Sequence, residues 1–539
     1  MWITRAAFVT LALLGCSVTE AFAATVNRSP SPLHPPLTDN NGRMMWKRKR
    51  KPSAFLLGRK KSQEQLSSQG TERYNSAAAD SALEEGPTMQ NGSDETVADS
   101  DTDSGGSSVA AATFGLVKCM VGSGMLALPG GLAAVSNYRG ALWPANVLLL
   151  VLGTLSAYTF SLYGRLVDQT QAKSLGDLWK KVQKTNDSFI VSMSSFLYCF
   201  GCLVTFGLVI GDAMSSLAVA GGLTGWMASR HAAILAVTAG ALYPLCNLSS
   251  LAALAPVSVV GVLGTLVTTG FVALRCPAVV ASSPYAAAGL FSTFSRTRSP
   301  APLIMVAMGC TSLMAHFSTP DFYHSLVDKP SVITADDTAI DAVDATLPQT
   351  DKGATLKKFT TVTVGSFIAV TLLNMLTMSF GFLTFGGNSA GIILNNYSAR
   401  DIGAVLSRFL VAVSVIGGYP FLMTACRSEA LELFRKGKPI TKAVERKTTS
   451  ILLVVLTALC MVVKDAGFVV SFNGALMGTA LIYIFPTLMF LKQTSQGTST
   501  RSVRLERAFC KFLVGFGCVS SLIGAATSVL NSYFPHLLQ

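Results

Sequence analysis

At 539 residues, with 50% hydrophobic and 13% charged side chains and a mean hydropathy of +0.47, the chain is too apolar for a soluble globule and reads as an all-α, polytopic membrane protein. Its formal net charge of +13 invites nucleic-acid binding. The Lys and Arg lie mainly in loops between apolar runs, however, where membrane orientation accounts for them, so no nucleic-acid partner is expected.

Residues 1–23 form a signal-like leader, with Arg5, the apolar run Ala6 to Val18 and an Ala21-Phe22-Ala23 cleavage pattern. Residues 24–107 are Ser/Pro/Gly-rich, with a basic block at Lys47–Lys51 followed by acidic residues from Glu84 to Asp103; such a segment buries too little to fold and is expected to be disordered. The third region, 108–539, holds the membrane body. The 11 cysteines lie mostly within apolar runs and form no legible disulfide framework. Cys199-Phe-Gly-Cys202 has C-x-x-C spacing, but without further ligands nearby it reads as small buried residues, and no metal or cofactor is expected.

Eleven apolar segments follow, at 109–136, 141–164, 189–218, 230–247, 251–274, 301–320, 360–385, 402–425, 449–467, 469–491 and 509–533. Lys and Arg concentrate in loops after even-numbered segments, which puts residue 108 in the cytosol and the C-terminus outside. A cleaved leader would leave the new N-terminus lumenal, opposite to that assignment. Either the leader stays as an extra anchor, or it is unused, or it serves another targeting route. The sequon Asn396-Tyr397-Ser398 falls in an outside loop, while Asn186-Asp187-Ser188 falls inside, so sequons hardly discriminate.

Two segments carry chemistry. The first contains Gly122-Ser123-Gly124 and then Pro129-Gly130, the residues least suited to an unbroken helix. An interrupted helix in hydrocarbon leaves backbone groups unpaired at several kcal/mol each, so the break should line an enclosed cavity where a ligand pairs with them; close packing of small residues is the plainer alternative. The sixth segment contains Thr311, Ser312, Ala315, His316 and Pro320, a polar run that should face a cavity rather than lipid. Breaks five segments apart point to a five-plus-five inverted repeat with its site at the midplane. Half-helix N-termini there suit a carboxylate, and unwound carbonyls with half-helix C-termini suit an ammonium, so an amino acid zwitterion fits both ends.

The stretch Val121-Gly-Ser-Gly-Met-Leu-Ala-Leu-Pro129 resembles the first-helix signature of the amino acid/auxin permease family. His316 with Tyr323 resembles the family's sixth-helix motif, with Ser325 where an acid is usual; Gly381-Phe-Leu-Thr-Phe-Gly386 with Ile392–Asn395, Tyr419-Pro420 before Arg427, and Gly478–Pro486 are similar to later family motifs. The resemblance spans 108–533 and implies a LeuT-like fold of eleven transmembrane helices, with helices 1 and 6 broken, and secondary transport of amino acids. It also implies a role for Lys118: sodium-coupled members have an Asn at the matching position and proton-coupled members a Lys, so sodium-independent transport, proton-coupled or facilitative, is expected. Proton-coupled relatives have a His where this chain has Gly115, which leaves coupling through that group in doubt.

The candidate substrate site is thus Gly122, Ser123, Gly124, Thr311, Ser312, Ala315 and His316, and the candidate coupling residues are Lys118, Thr424 and Asp212. No enzyme motif is present. A membrane-bound amino acid sensor and a major-facilitator-type transporter, the latter from Gly164-Arg-Leu-Val-Asp168, are the competing readings. The expected location is a multi-pass protein of the plasma membrane or an endomembrane compartment.

Overall fold

The computed structural model describes residues 108–186, 188–248, 255–282, 302–327, 352–434, 440–496 and 500–534. The leader, the expected disordered region up to residue 107, and the charged loops at 283–301 and 328–351 lie outside the described residues.

The first span is two helices. α1 (Val109–Met120) starts at Ser108, whose Oγ accepts from the Ala111 amide at 3.2 Å, and it runs through an Ala-rich turn of high helix propensity. It stops where Val121 and Gly122 become extended, Gly122 at φ −165° and ψ −148°. α2 (Ser123–Val135) then leaves at 46° to α1. α3 (Leu142–Thr170) ends at Gln171, whose φ of 50° terminates it. α4 (Leu175–Gln183), capped by Ser174, carries its apolar face inward and its lysines outward; α5 (Phe189–Ala220) recrosses the membrane.

α6 (Arg230–Val237), a π turn (Thr238–Leu242) and α7 (Tyr243–Cys246) continue one another, and α8 (Ala255–Ser282) follows. The sixth span is again split: α9 (Pro302–Ser312) ends, Leu313 to Ala315 are unwound, and a 3-10 turn (His316–Ser318) leads into α10 (Thr319–Ser325), with Pro320 in its first turn. α11 (Lys352–Phe385) and α12 (Ile402–Phe434) are long spans joined by a loop with two short 3-10 turns. α13 (Lys442–Val462), α14 (Ala466–Asn473), π turns at Gly474–Gly478 and Ala480–Ile484, α15 (Phe485–Gln493) and α16 (Arg501–Tyr533) complete the chain.

Among the described residues there are helices at all eleven expected segments, but only nine spans, counting α1 with α2 as one, are long and apolar enough to cross a membrane. The count of eleven is therefore not confirmed. The 230–247 segment consists of contiguous pieces of 8, 5 and 4 residues, at the lower limit of what a bilayer core requires. α13 spends its first turns on Glu445, Arg446 and Lys447.

The loop between α11 and α12 is pinned rather than loose. Arg408, buried within α12, donates to the carbonyls of Leu394 (2.8 Å), Tyr397 (2.6 Å) and Ser398 (3.0 Å). Asn396 accepts from the Ala390 amide at 2.7 Å and donates to the Asn388 carbonyl at 2.8 Å. These bonds pair backbone groups that would otherwise be orphaned beside the membrane.

Candidate transport site at the two breaks

The breaks meet. A Cβ added to Gly124 would lie 3.0 Å from Ser312 Cα and 3.1 Å from its nitrogen, so the start of α2 touches the end of α9 backbone to backbone. α2 has no side-chain cap, which leaves amide donors at its first turn available to an anion. Gly122 is roomier: a Cβ there would make ordinary contact with the Phe206 ring at 3.5 Å. On the α9 side, Ser312 Oγ donates to the Gly309 carbonyl (3.0 Å) and accepts from Asn374 Nδ2 on α11 (3.1 Å). Thr311 Oγ1 donates to the Val470 carbonyl of α14 (2.9 Å), and its carbonyl accepts from the Tyr198 hydroxyl of α5 (3.4 Å).

Ala315 and His316, like Ser312, are fully buried, and the imidazole Nε2 reaches the Ser156 carbonyl (3.1 Å) and Thr159 Oγ1 (3.0 Å) on α3. Phe160, Tyr163 and Phe367 surround the ring. Nε2 is thus bonded to α3 within an aromatic cage, while Nδ1 is buried without a hydrogen-bond partner among the described residues. The same side of the chain ties α10 to α3 twice more, since the Tyr323 hydroxyl donates to Asp168 and His324 Nε2 donates to the Ala172 carbonyl at 2.9 Å.

Lys118 sits one turn before the first break and reaches across to α12, donating to Ser414 Oγ at 2.6 Å and to the Ser414 carbonyl at 3.3 Å. Its ammonium lies in a notch on α8 that exists because residue 261 is glycine; a Cβ there would overlap both Lys118 Nζ and Ser414 Oγ. A cavity of about 10 Å³, the size of one water, lies alongside, lined by Gly122, Met125, Thr265, Thr268 and Ser414 among others. The partner of the lysine on the eighth apolar segment is thus Ser414 of α12. Thr424, expected in that place, donates instead to the Pro420 carbonyl of its own helix at 2.9 Å, about 15 Å farther along α12. Asp212 is also elsewhere: it pairs with Arg230 Nε at 2.9 Å and accepts from Asn395 at 2.9 Å, holding the end of α5 to α6 and to the pinned loop.

The two faces of the site differ. At the end of α2, a Cβ on Gly130 would lie 2.5 Å from the Ala390 carbonyl oxygen, so the pinned loop rests directly on α2. At the other end Cys119 is exposed and faces Ser318 Oγ at 3.8 Å.

Two broken spans meeting at their breaks, a lysine bridging the first of them to the eighth segment and a loop laid over α2 define a membrane transporter of the inverted-repeat kind. The chain belongs to the transmembrane amino acid transporter protein family, whose sequence model matches residues 105–325 and 349–530. It is 23% identical over 441 residues to the zebrafish (Danio rerio) protein named "Putative sodium-coupled neutral amino acid transporter 11", covering 80% of this chain and 88% of that one. To the rat (Rattus norvegicus) "Sodium-coupled neutral amino acid transporter 7" it is 28% identical over 169 residues, 29% of this chain and 35% of that one. A crystal structure of a manganese transporter variant from Eremococcus coleocola superposes with a TM-score of 0.50 at 12% identity, covering 78% of this chain and 88% of that one, which shows a shared fold. The LeuT-like five-plus-five reading stands, and the major-facilitator alternative falls with it. Asp168, which suggested that alternative, serves as the acceptor for Tyr323. The protein is a multi-pass membrane transporter and not an enzyme.

Sequence reasoning missed Gly261, Ser414, Asn374 and Tyr198. Each is an unremarkable residue within an apolar span, and only the fold brings it to the breaks.

Proposed function

We propose that the protein carries a neutral amino acid across the membrane without requiring sodium. The neutral class is taken from the names of the relatives. The substrate's carboxylate is held by the free amides at the start of α2, and its ammonium by the C-terminal end of α9 and the carbonyls unwound after Ser312. The Gly124–Ser312 contact supports this, since it brings both ends within reach of one zwitterion.

The observation that carries sodium independence is the seat of Lys118. Its ammonium joins α1 to α12 beside unwound Gly122, in the notch at Gly261. A second cation about 4 Å away would be repelled by roughly 4 kcal/mol at an effective dielectric constant near 20. The relatives' names speak of sodium coupling, and the experiment decides between them and the lysine. Uptake into liposomes should persist when choline replaces sodium, and Lys118→Asn should destroy transport or make it sodium-dependent. Sodium-dependent uptake by the unaltered protein would overturn the reading. A pH gradient then separates a proton-coupled carrier from a facilitator. Residues 1–107 serve location rather than transport, because their composition supports no core.

A further inference from the structure

α16 begins with positive charge that the protein does not answer. Arg501, Arg504 and Lys511 share one face of its first turns and are exposed. Among the described residues none of the three forms an ion pair. The first turn holds no acidic residue, and Glu506, in the next, is spent inward: it accepts from Arg165 Nη2 of α3 at 2.5 Å and from the Tyr158 hydroxyl at 3.1 Å. Arg507, partly buried, and Lys492, exposed in the last turn of α15, add to the same sign. The helix start is itself the positive end of a dipole, so these cations stand against it; the negative end of α15 lies nearest Lys492 in the chain. Beyond Lys511 the same face turns apolar. Leu505 and Phe512 are 65% and 63% exposed, followed by exposed Val519 and Leu522. At Gly515, between them, a side chain would meet nothing within 4 Å, and Phe509, Phe512 and Phe516 stack beside this open strip. From Phe512 to Leu522 the strip runs about 15 Å, half of a hydrocarbon core of about 30 Å.

We propose that the start of α16 is a binding site for an anionic phospholipid, whose headgroup is held by Arg501, Arg504 and Lys511 and whose acyl chain lies along the strip at Gly515. A soluble anion would use the cations and leave the strip bare, whereas a lipid uses both and spans one leaflet. The Lys511 stem is long enough to carry its ammonium back to the headgroup level. The loop charges place this end of α16 on the cytosolic side, where the leaflet is negatively charged. An occupant relieves the repulsion among the cations and therefore stabilises the folded protein. The inference goes beyond the transport reading and does not depend on it.

The full chain in an uncharged detergent, titrated with dihexanoyl phosphatidylserine, tests this through its melting temperature. The expected result is a concentration-dependent rise that dihexanoyl phosphatidylcholine does not give and that O-phosphoserine, the headgroup without chains, does not match. Each cation removed should raise the lipid concentration needed about fivefold, so combining Arg501→Gln, Arg504→Gln and Lys511→Gln should raise it on the order of a hundredfold. Combining Lys442→Gln, Arg446→Gln and Lys447→Gln at the start of α13 removes the same charge and should leave the response intact. Gly515→Trp keeps every charge and fills the strip; it should weaken the response several-fold, which keeps the test open if the α16 triple variant folds poorly. An equal response to phosphatidylcholine, or an unchanged response in the α16 variants, would overturn the proposal. Equal loss in the α13 variant would overturn it in favour of diffuse surface charge, and a full response to O-phosphoserine in favour of a free-anion site.

Discussion

α1 and α10, one half of each broken span, are held in different ways. α10, with the turn before it, makes most of its side-chain hydrogen bonds to one neighbour: His316 and Tyr323 bond to α3 and His324 to Ala172 just after it, while Ser318 Oγ faces Cys119 of α1. α1 is shared between two, since Lys118 donates to Ser414 on α12 while Ser366 Oγ on α11 donates to the Thr113 carbonyl at 3.2 Å. Three bonds thus join α10 and its preceding turn to α3 and the residues just after it. α1 has bonds to two helices, one of them carried by an ammonium. The comparison teaches that similar breaks need not give similar mobility; the neighbours decide.

The strongest attack on this contrast is at the lysine's seat. Gly261→Val should remove uptake almost entirely, at least about tenfold, because the added carbons occupy the space of Lys118 Nζ and Ser414 Oγ and leave a partly buried charge without its partners. Lys118→Met should lose transport to a similar extent while keeping the fold, as judged by melting temperature. Normal uptake in both would mean that α1 is held by something else.

Next in size is the crossing of the breaks. Gly124→Val places carbon against the Ser312 backbone and should cost about 1–3 kcal/mol of stability together with most substrate binding. Gly122→Ala meets only the Phe206 ring at ordinary contact distance and should retain binding. Equal damage at both positions would show that conformational freedom, not approach, is what Gly124 supplies.

A smaller effect is expected where α10 is tied several times over. Tyr323→Phe removes one hydrogen bond, worth about 1 kcal/mol, and should leave uptake within a few-fold of normal, with a modest change in the labelling rate of Cys119 by a thiol reagent. A collapse of transport would make that bond as decisive as the lysine's. The smallest effect concerns the N-terminal region: a protein comprising residues 108–539 should transport at the normal rate in liposomes, and loss of transport despite correct folding would assign residues 1–107 a part in it.

The breaks, their spacing and the junction lysine were legible because glycine, proline and charge are expensive within an apolar run and stand out against it. Partners were not. Ser414 and Gly261 look like any small residues in a span, whereas Thr424, more polar in appearance, satisfies itself on its own helix. His316 shows the same limit: polarity in a membrane segment demands a partner but does not say whether a ligand or the protein supplies it, and here α3 partners Nε2 while Nδ1 is buried without one among the described residues. Asp212 likewise found an arginine that lay eighteen residues on in the chain. The number of spans is not confirmed for a similar reason: α13 gives its first turns to charged side chains and is not among the nine spans that are long and apolar enough in the described residues.

Asn396 belongs to a glycosylation sequon, yet both ends of its amide are spent inside the loop, on the Ala390 amide and the Asn388 carbonyl. A glycosylated asparagine keeps its carbonyl oxygen and one amide hydrogen, so both bonds survive the modification. What changes is the second amide hydrogen, replaced by a bulky, hydrated group on a loop whose other side rests on α2. A sugar that leaves on the solvent side of the loop would be tolerated, and one directed toward α2 would hold the loop off it.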